Sequence, residues 1–66
     1  MANKDKRMLK LISKRKAAGL TQTQLAEKVG AKQSAIASYE NGDRRPSIDR
    51  LKEISIVLNC TLDDLF

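Results

Sequence analysis

The sequence has no histidine, no tryptophan and only one cysteine among its 66 residues. A disulfide needs two cysteines and a structural zinc ion needs several Cys or His ligands, so we expect neither within the chain. Cys60 follows Leu58 in an apolar setting, which favours a small buried side chain over a reactive thiol. No candidate base, Gly-rich phosphate loop or pair of carboxylates accompanies it. We therefore expect no enzyme, no cofactor, no metal and no evident small-molecule ligand.

Glycine, proline and aromatic residues are also scarce, with three Gly, one Pro, one Tyr and one Phe. Runs of β-branched or aromatic residues are too few for a sheet, so the composition predicts an all-α fold. No apolar run approaches the roughly 18 residues that cross a membrane, and no secretory signal precedes the fold. We expect a single domain over residues 1–66 that has a small core and is cytoplasmic.

Positive charge is concentrated at the N-terminus. The net charge is +5; residues 1–16 contain seven basic residues and one acidic residue, whereas residues 17–66 contain six basic and seven acidic residues. A basic segment of this kind is a solvated helix face, a nonspecific phosphate contact or an arm that reaches around a duplex. We favour phosphate attraction, with contacts from Lys4, Lys6 and Arg7, and we expect residues 1–4 to be a disordered basic arm.

Residues 21–42 hold the strongest pattern, which predicts two short helices around a tight turn. Thr21 and Gln24 have the spacing of a capping box, in which each side chain bonds the backbone amide of the other residue. The apolar residues that follow share one helix face: Leu25, Ala26 and Val29. Gly30 can leave that helix through a positive φ because it has no Cβ. Only Ala31 and Lys32 separate it from the next helix, which favours the steep crossing of a helix-turn-helix.

The second helix of this pair has two different faces. One face is apolar, with Ala35, Ile36 and Tyr39, and the other is small and uncharged, with Gln33, Ser34, Ala37 and Ser38. A glutamine amide can bond adenine N6 and N7 together, and a serine hydroxyl can donate or accept, so the second face suits the reading of base edges. The alternative is that Gln33, Ser34 and Ser38 simply face solvent.

Several residues of this region stand at characteristic spacings: Gly19-Leu20-Thr21-Gln22, Leu25-Ala26, Gly30, Ile36 and Tyr39-Glu40-Asn41-Gly42. Together they resemble the Cro/C1-type helix-turn-helix family, the lambda-repressor-like DNA-binding domains, from Arg15 to Phe66. The resemblance implies a compact five-helix domain with the helix-turn-helix at helices 2 and 3. It also implies a transcriptional repressor that binds double-stranded DNA as a homodimer on a palindromic operator.

The resemblance assigns roles to individual residues of the site. The base-reading positions of the family match Lys32, Gln33, Ser34 and Ser38. Lys32 departs from the family pattern, because that position often holds a capping Ser or Thr. Gln22 matches a glutamine that contacts phosphate and supports the base-reading Gln33.

The first helix is predicted from Asp5 to Ala18. Its inner face contains Met8, Leu11, Arg15 and Ala18. One of these four residues, Arg15, is charged. A guanidinium buried without a partner costs several kcal/mol, and Glu40 is the acidic residue best placed to pair with Arg15. In the resembled family the matching positions form an ion pair that ties the first helix to the base-reading helix.

The segment after the motif, residues 41–46, concentrates turn formers and predicts a surface loop. Asn41 could cap the preceding helix and still offer its amide to a phosphate. Arg44 and Arg45 are either plain surface charge or contacts to the DNA backbone.

Two further helices are predicted after this loop. Ser47 should cap a helix that ends at about Asn59, and Thr61 should begin a last short helix with Asp64 as its capping partner. The inner stripe of the first of these helices contains Leu51, Ile54, Ser55 and Leu58.

Ile56 falls outside that stripe, so we expect it to be exposed. A single exposed Ile is normal, but with Val57, Leu62 and Phe66 it forms a candidate dimer surface. Members of the resembled family commonly dimerise through this region. An antitoxin-like or protein-interaction module that keeps the same fold is the alternative function.

Overall fold

A computed structural model describes residues 7–66 of the chain. These residues form four α-helices and one 3₁₀ turn: α1 (Leu9–Ala17), α2 (Gln22–Lys28), α3 (Gln33–Asn41), α4 (Ile48–Val57) and the turn Asp63–Leu65. The described part of the chain contains no strand, so the predicted all-α fold with its helix-turn-helix at α2 and α3 is confirmed. The predicted count of five helices is not met, because four α-helices and a single 3₁₀ turn stand in their place. Lys4, Lys6 and the expected disordered arm over residues 1–4 lie outside the described residues.

The first helix begins later than the sequence predicts. Helix α1 starts at Leu9, because the backbone N–H of Met8 donates to the carbonyl of Glu40 at 3.1 Å and Met8 stays outside the helix. At the other end, Ala18 is exposed and serves as the C-cap, so it is not part of the inner face. The contact between Met8 and Glu40 joins the start of α1 to the end of α3.

Helix α4 also differs at one end. Ser47 accepts from the N–H of Arg50 at 3.1 Å, so the predicted N-terminal cap is confirmed. The helix ends at Val57, before the expected Asn59, because Asn59 adopts a left-handed φ of 53°. Asparagine tolerates this conformation better than most residues, and it lets the N–H of Cys60 reach back to the carbonyl of Ser55 at 2.9 Å.

The last predicted helix is reduced to one turn. Thr61 and Asp64 form the expected reciprocal cap, with the Thr61 amide donating to Oδ2 of Asp64 at 3.0 Å and the Asp64 amide donating to the Thr61 hydroxyl at 3.3 Å. The backbone hydrogen bonds that follow span three residues, as in a 3₁₀ helix, and not the four of an α-helix. This single turn is sufficient to bury Leu65 completely against the core.

The core is one cluster of apolar side chains contributed by every element: Leu11, Leu25, Ala26, Val29, Ile36, Tyr39, Leu51, Ile54, Leu58 and Leu65. It fixes the angle between α2 and α3. A polar contact from α4 supports the same junction, because the guanidinium of Arg50 donates to the carbonyl of Val29 at the end of α2. Burial of the apolar face of α3 leaves its opposite face outward. No helix within residues 7–66 has the length and apolar character that crossing a membrane requires.

Candidate nucleic-acid interface

The two helices of the motif are joined as the sequence predicts. The hydroxyl of Thr21 accepts from the Gln24 amide at 3.1 Å, while the Gln24 side chain accepts from the Thr21 amide at 2.9 Å. Gly30 leaves α2 with a φ of +68°, a conformation that costs glycine little. The amide of Ala31 then bonds the carbonyl of Ala26 at 2.8 Å, which fixes the turn before α3 begins.

Helix α3 presents the predicted polar face. Gln33 and Ser34 are exposed in its first turn, and Ser38 lies half-buried one turn later. Lys32 is the N-cap residue, but its side chain makes no capping hydrogen bond and is exposed. The first turn of α3 therefore keeps unbonded backbone N–H groups near Lys32, and a helix N-terminus of this kind favours negative charge.

A buried ion pair joins α1 to the end of α3, as the sequence suggests. Nε of Arg15 donates to Oε2 of Glu40 at 2.6 Å and Nη2 donates to Oε1 at 3.2 Å, so the pair is bidentate. Arg15 is 8% exposed and Glu40 is 3% exposed. Nη1 of Arg15 also donates to the carbonyl of Leu20 at 2.8 Å, just before α2. One guanidinium thus holds α1, the entry to α2 and α3 in fixed positions.

A chain of hydrogen bonds extends from this ion pair to the exposed face of α3. Nε2 of Gln22 donates to Oε1 of Glu40 at 2.8 Å, and Nε2 of Gln33 donates to Oε1 of Gln22 at 2.7 Å. The expected support of Gln33 by Gln22 is therefore present. The bond from Gln22 to Glu40 has no counterpart in the sequence-based predictions, because it joins residues 18 positions apart and no local pattern indicates it.

The carboxylate of Glu40 determines which way both amides point. An ionised carboxylate only accepts hydrogen bonds, so Gln22 must turn its amide nitrogen toward Glu40 and its oxygen toward Gln33. Gln33 must then donate to that oxygen. The side chain of Gln33 keeps one N–H and its own carbonyl oxygen for a ligand, and the two groups lie on one exposed amide plane.

The C-terminal cap of α3 is not the predicted Asn41. Asn41 is the last residue of the helix and Gly42, with a φ of 83°, is the C-cap, because the left-handed conformation favours glycine over asparagine. The amides of Asp43 and Arg44 both donate to the carbonyl of Ser38, at 2.9 and 3.3 Å. Three candidate contacts to the DNA backbone are exposed at this end of α3: Asn41, Arg44 and Arg45. Arg7, another candidate, is also exposed.

The four residues predicted to form a dimer surface are not equally available. Ile56 is 77% exposed and Phe66 is 56% exposed. Val57 and Leu62 are half-buried and pack against the core, so the apolar area that they offer to a partner is smaller than the sequence suggests. Ile56 is the largest exposed contribution from α4 to such a surface.

Similarity to known proteins agrees with this geometry. A family model described as helix-turn-helix matches residues 11–65. An uncharacterized HTH-type transcriptional regulator from Archaeoglobus fulgidus is 40% identical over 48 residues, which cover 73% of this chain and 69% of the relative. The cryptic phage CTXphi transcriptional repressor RstR from Vibrio cholerae is 32% identical over 56 residues. These cover 85% of this chain but only 50% of RstR, so the chain spans about half the length of that relative.

A solved structure is similar over nearly the whole molecule. The restriction-modification controller protein C.AhdI from Aeromonas hydrophila matches with a TM-score of 0.85 and 29% sequence identity, covering 94% of both chains. The family match spans all the described helices except the first two residues of α1. On this sequence match and this fold, the protein belongs to the Cro/C1-type helix-turn-helix family of DNA-binding transcription regulators.

Proposed function

We propose that this protein is a sequence-specific repressor that binds double-stranded DNA as a homodimer on a palindromic operator. The observation that carries the proposal is the position of Gln33, whose amide is held on the exposed face of α3 by a hydrogen-bonded chain from the buried Arg15–Glu40 pair. A side chain whose only role was contact with solvent would not need an orientation fixed in this way.

The hydrogen-bonding groups left on Gln33 match one base. Adenine presents the N7 acceptor and the N6 donor side by side in the major groove, and the free N–H and oxygen of Gln33 complement them. Guanine presents two acceptors there, which one N–H and one oxygen match poorly. We therefore assign an adenine to Gln33, with Lys32, Ser34 and Ser38 reading or bordering the neighbouring base pairs.

Contacts to phosphates surround this reading face. The second N–H on Nε2 of Gln22 remains for a phosphate after the first is given to Glu40. The exposed end of α3 and the following loop supply further contacts from Asn41, Arg44 and Arg45. The basic N-terminal residues Lys4, Lys6 and Arg7 add sequence-independent attraction, because each phosphate contact releases condensed counterions.

The homodimer and the repressor role rest on separate support. Two-fold recognition places two α3 helices in successive major grooves about 34 Å apart, so the dimer contact must lie away from the reading face. The exposed Ile56 on α4 gives such a contact an apolar centre. Similarity to RstR, a transcriptional repressor, supports repression as the outcome of binding.

Selection of binding sites from a random duplex pool tests this function. We expect enrichment of a palindrome that contains an adenine at one position of each half-site, and the Gln33→Ala variant should enrich the same palindrome without that preference. The absence of any enriched sequence would contradict the proposal and favour the protein-interaction module as the alternative.

A further inference from the structure

A cleft of about 780 Å³ lies at the end of the molecule where the start of α1, the loop after α3 and the last turn meet. Its volume falls within the range of small-molecule sites, roughly 300–1,000 Å³. The cleft adjoins the proposed DNA interface, because the loop that supplies Arg44 and Arg45 forms one of its walls. The reading face of α3, with Gln33 and Ser34, does not contribute to it.

The interior of this cleft is largely apolar. Tyr39 and Leu65 are buried at its base and belong to the core. Leu9 from α1 and Phe66 after the last turn also line it. These two large apolar side chains are 52% and 56% exposed to solvent. Contact with phosphates alone would not require such a lining, because a phosphate gains nothing from apolar surface.

The charged residues of the cleft are mostly of one sign. Among the lining residues that the structure describes, Arg7, Lys10, Arg44 and Arg45 are basic and Asp43 is the only acidic one. Within residues 7–66, Lys10, Arg44 and Arg45 form no ion pair with a carboxylate, since the ion pairs there join Arg15 to Glu40 and Arg50 to Glu53. An apolar interior with unpaired cations complements a molecule that has an apolar body and a negative group.

We propose that this cleft binds a small organic anion with an apolar body, such as an aromatic or acyl carboxylate, and that the bound anion competes with DNA for Arg44 and Arg45. Binding of the anion does not depend on the DNA-binding function. The competition does rest on the proposed contacts of the two arginines with phosphates. Such a ligand would act as an effector that releases the protein from DNA.

A pair of dyes that differ by one sulfonate group tests the binding step on the full chain. Anilinonaphthalene sulfonate carries the anion, and phenylnaphthylamine is the neutral molecule with the same aromatic skeleton. We expect the sulfonate to bind about tenfold more tightly, which corresponds to about 1.4 kcal/mol, because the cations in the cleft attract the negative group. Tyr39 is the only tyrosine and tryptophan is absent, so quenching of the tyrosine emission reports that a dye has bound to the protein.

Substitutions distinguish the effect of the charges in the cleft from that of the general positive charge of the protein. Arg44→Gln with Arg45→Gln should weaken binding of the sulfonate about tenfold and leave the neutral dye unchanged. Lys28→Gln with Lys52→Gln removes two exposed charges outside the cleft and should leave the affinity for both dyes unchanged. In NMR spectra, the backbone amide chemical shifts of Met8–Lys10 and residues 42–45 should change when the sulfonate binds. Equal affinity for both dyes, or shifts centred on Ile56, would overturn the proposal.

A duplex titration tests the competition and distinguishes the two proposals. Without dye, binding to duplex DNA tests the DNA-binding function by itself. With saturating sulfonate dye, we expect the affinity for the duplex to fall about tenfold, whereas saturating neutral dye should leave it unchanged. A duplex that binds normally while the sulfonate occupies the cleft would overturn the competition.

Discussion

The side-chain nitrogen of Gln33 donates to the side-chain oxygen of Gln22 at 2.7 Å, across the turn that separates α2 from α3. Because Gln22 is itself held by Glu40, the orientation of the exposed amide depends on a buried carboxylate. The proposed base-reading face and the core are therefore connected through one hydrogen-bonded chain. The side chain of Gln22 makes this connection, whereas both hydrogen bonds of the bidentate pair are made by Arg15 and Glu40 themselves.

The first prediction concerns the energetic link between the two glutamines. On the selected operator, Gln33→Ala should cost about 1–3 kcal/mol of binding free energy and relax the preference at one position. In a Gln22→Met background the same change should cost about 1 kcal/mol less, because Gln33 is no longer oriented. Titration of the four proteins against the operator measures this difference.

Two controls accompany this comparison of single and double variants: a second background substitution and a mismatched duplex. Thr23→Ala alters a residue of α2 that makes no contact with this chain of hydrogen bonds, and in that background Gln33→Ala should keep its full cost. On a duplex changed at the assigned adenine, Gln33→Ala should cost little. If binding to matched and mismatched operators fell equally, the base-reading role of Gln33 would be wrong.

The second prediction concerns the stability that the buried pair provides. Arg15→Met should lower the free energy of unfolding by about 3–5 kcal/mol, because it leaves the carboxylate of Glu40 buried with only Gln22 as a donor. The double variant Arg15→Met with Glu40→Leu should be less destabilised than Arg15→Met alone, since it removes the uncompensated charge as well. Urea unfolding followed by circular dichroism measures both changes.

A partly exposed ion pair serves as the control. Arg50 and Glu53 are 3.6 Å apart, with side chains 26% and 53% exposed, so Glu53→Gln should cost no more than about 1 kcal/mol. A similarly small cost for Arg15→Met would show that the pair with Glu40 contributes little to stability.

Local features of the fold were predictable from the sequence, because they depend on a few neighbouring residues. The reciprocal cap of Thr21 and Gln24 and the cap at Ser47 follow from side chains that reach backbone amides three positions away. The outward position of Ile56 follows from the 3.6-residue period of α4.

Features that depend on distant contacts were missed or placed wrongly. The start of α1 is set by the bond from Met8 to Glu40, and the orientation of Gln22 is set by the same residue. The half-burial of Val57 and Leu62 arises because both pack against a core assembled from all the helices. Helical periodicity reports which face a residue occupies, but not how closely another element covers that face.

The third prediction concerns Cys60. Burial raises the pKa of its thiol, the negative charge of Asp64 raises it further, and Lys14 lowers it. A thiol with a raised pKa has less thiolate at neutral pH, so alkylation of Cys60 should be slower in the folded protein than in the urea-unfolded chain. The midpoint of the pH–rate profile should lie at higher pH in the folded protein.

Substitution of two neighbouring acidic residues isolates the contribution of Asp64 to the pKa of Cys60. Asp64→Asn should move the midpoint of the profile toward lower pH, because it removes the charge that disfavours the thiolate. Asp63→Asn, an exposed change at the adjacent residue, should leave the midpoint where it is. A midpoint that does not respond to Asp64→Asn would contradict the electrostatic contribution.

The fourth prediction concerns the basic N-terminus. Replacing Lys4, Lys6 and Arg7 with Gln should weaken binding to all duplexes while preserving the ratio of specific to nonspecific affinity. The dependence of log affinity on log salt concentration should become shallower by about 0.9 for each phosphate that the variant no longer neutralises. Titrations at several salt concentrations measure the slope, and Lys52→Gln on α4 should leave it unchanged. An unaltered slope in the triple variant would show that these residues form a solvated segment.

The last prediction is that the homodimer forms through the end of α4 and Leu62, with Ile56 at its centre, and leaves Phe66 in the open cleft. Ile56→Lys should leave helix content nearly intact, because a side chain that is 77% exposed contributes little to folding. In a two-fold contact the two introduced charges would lie close together, so the dimer population and the operator affinity should both fall. The small apolar area left by the half-burial of Val57 and Leu62 implies a weak dimer that DNA tightens by holding both subunits.

Sedimentation with and without operator DNA decides this prediction, and α4 offers a matched control. Ile48 is 60% exposed and lies eight residues before Ile56, about 12 Å along the same helix. Ile48→Lys therefore introduces the same change at the opposite end of α4 and should preserve dimerisation. If Ile56→Lys dimerised as well as the parent protein, or if Ile48→Lys abolished the dimer instead, the contact would have to be placed on another surface of the molecule.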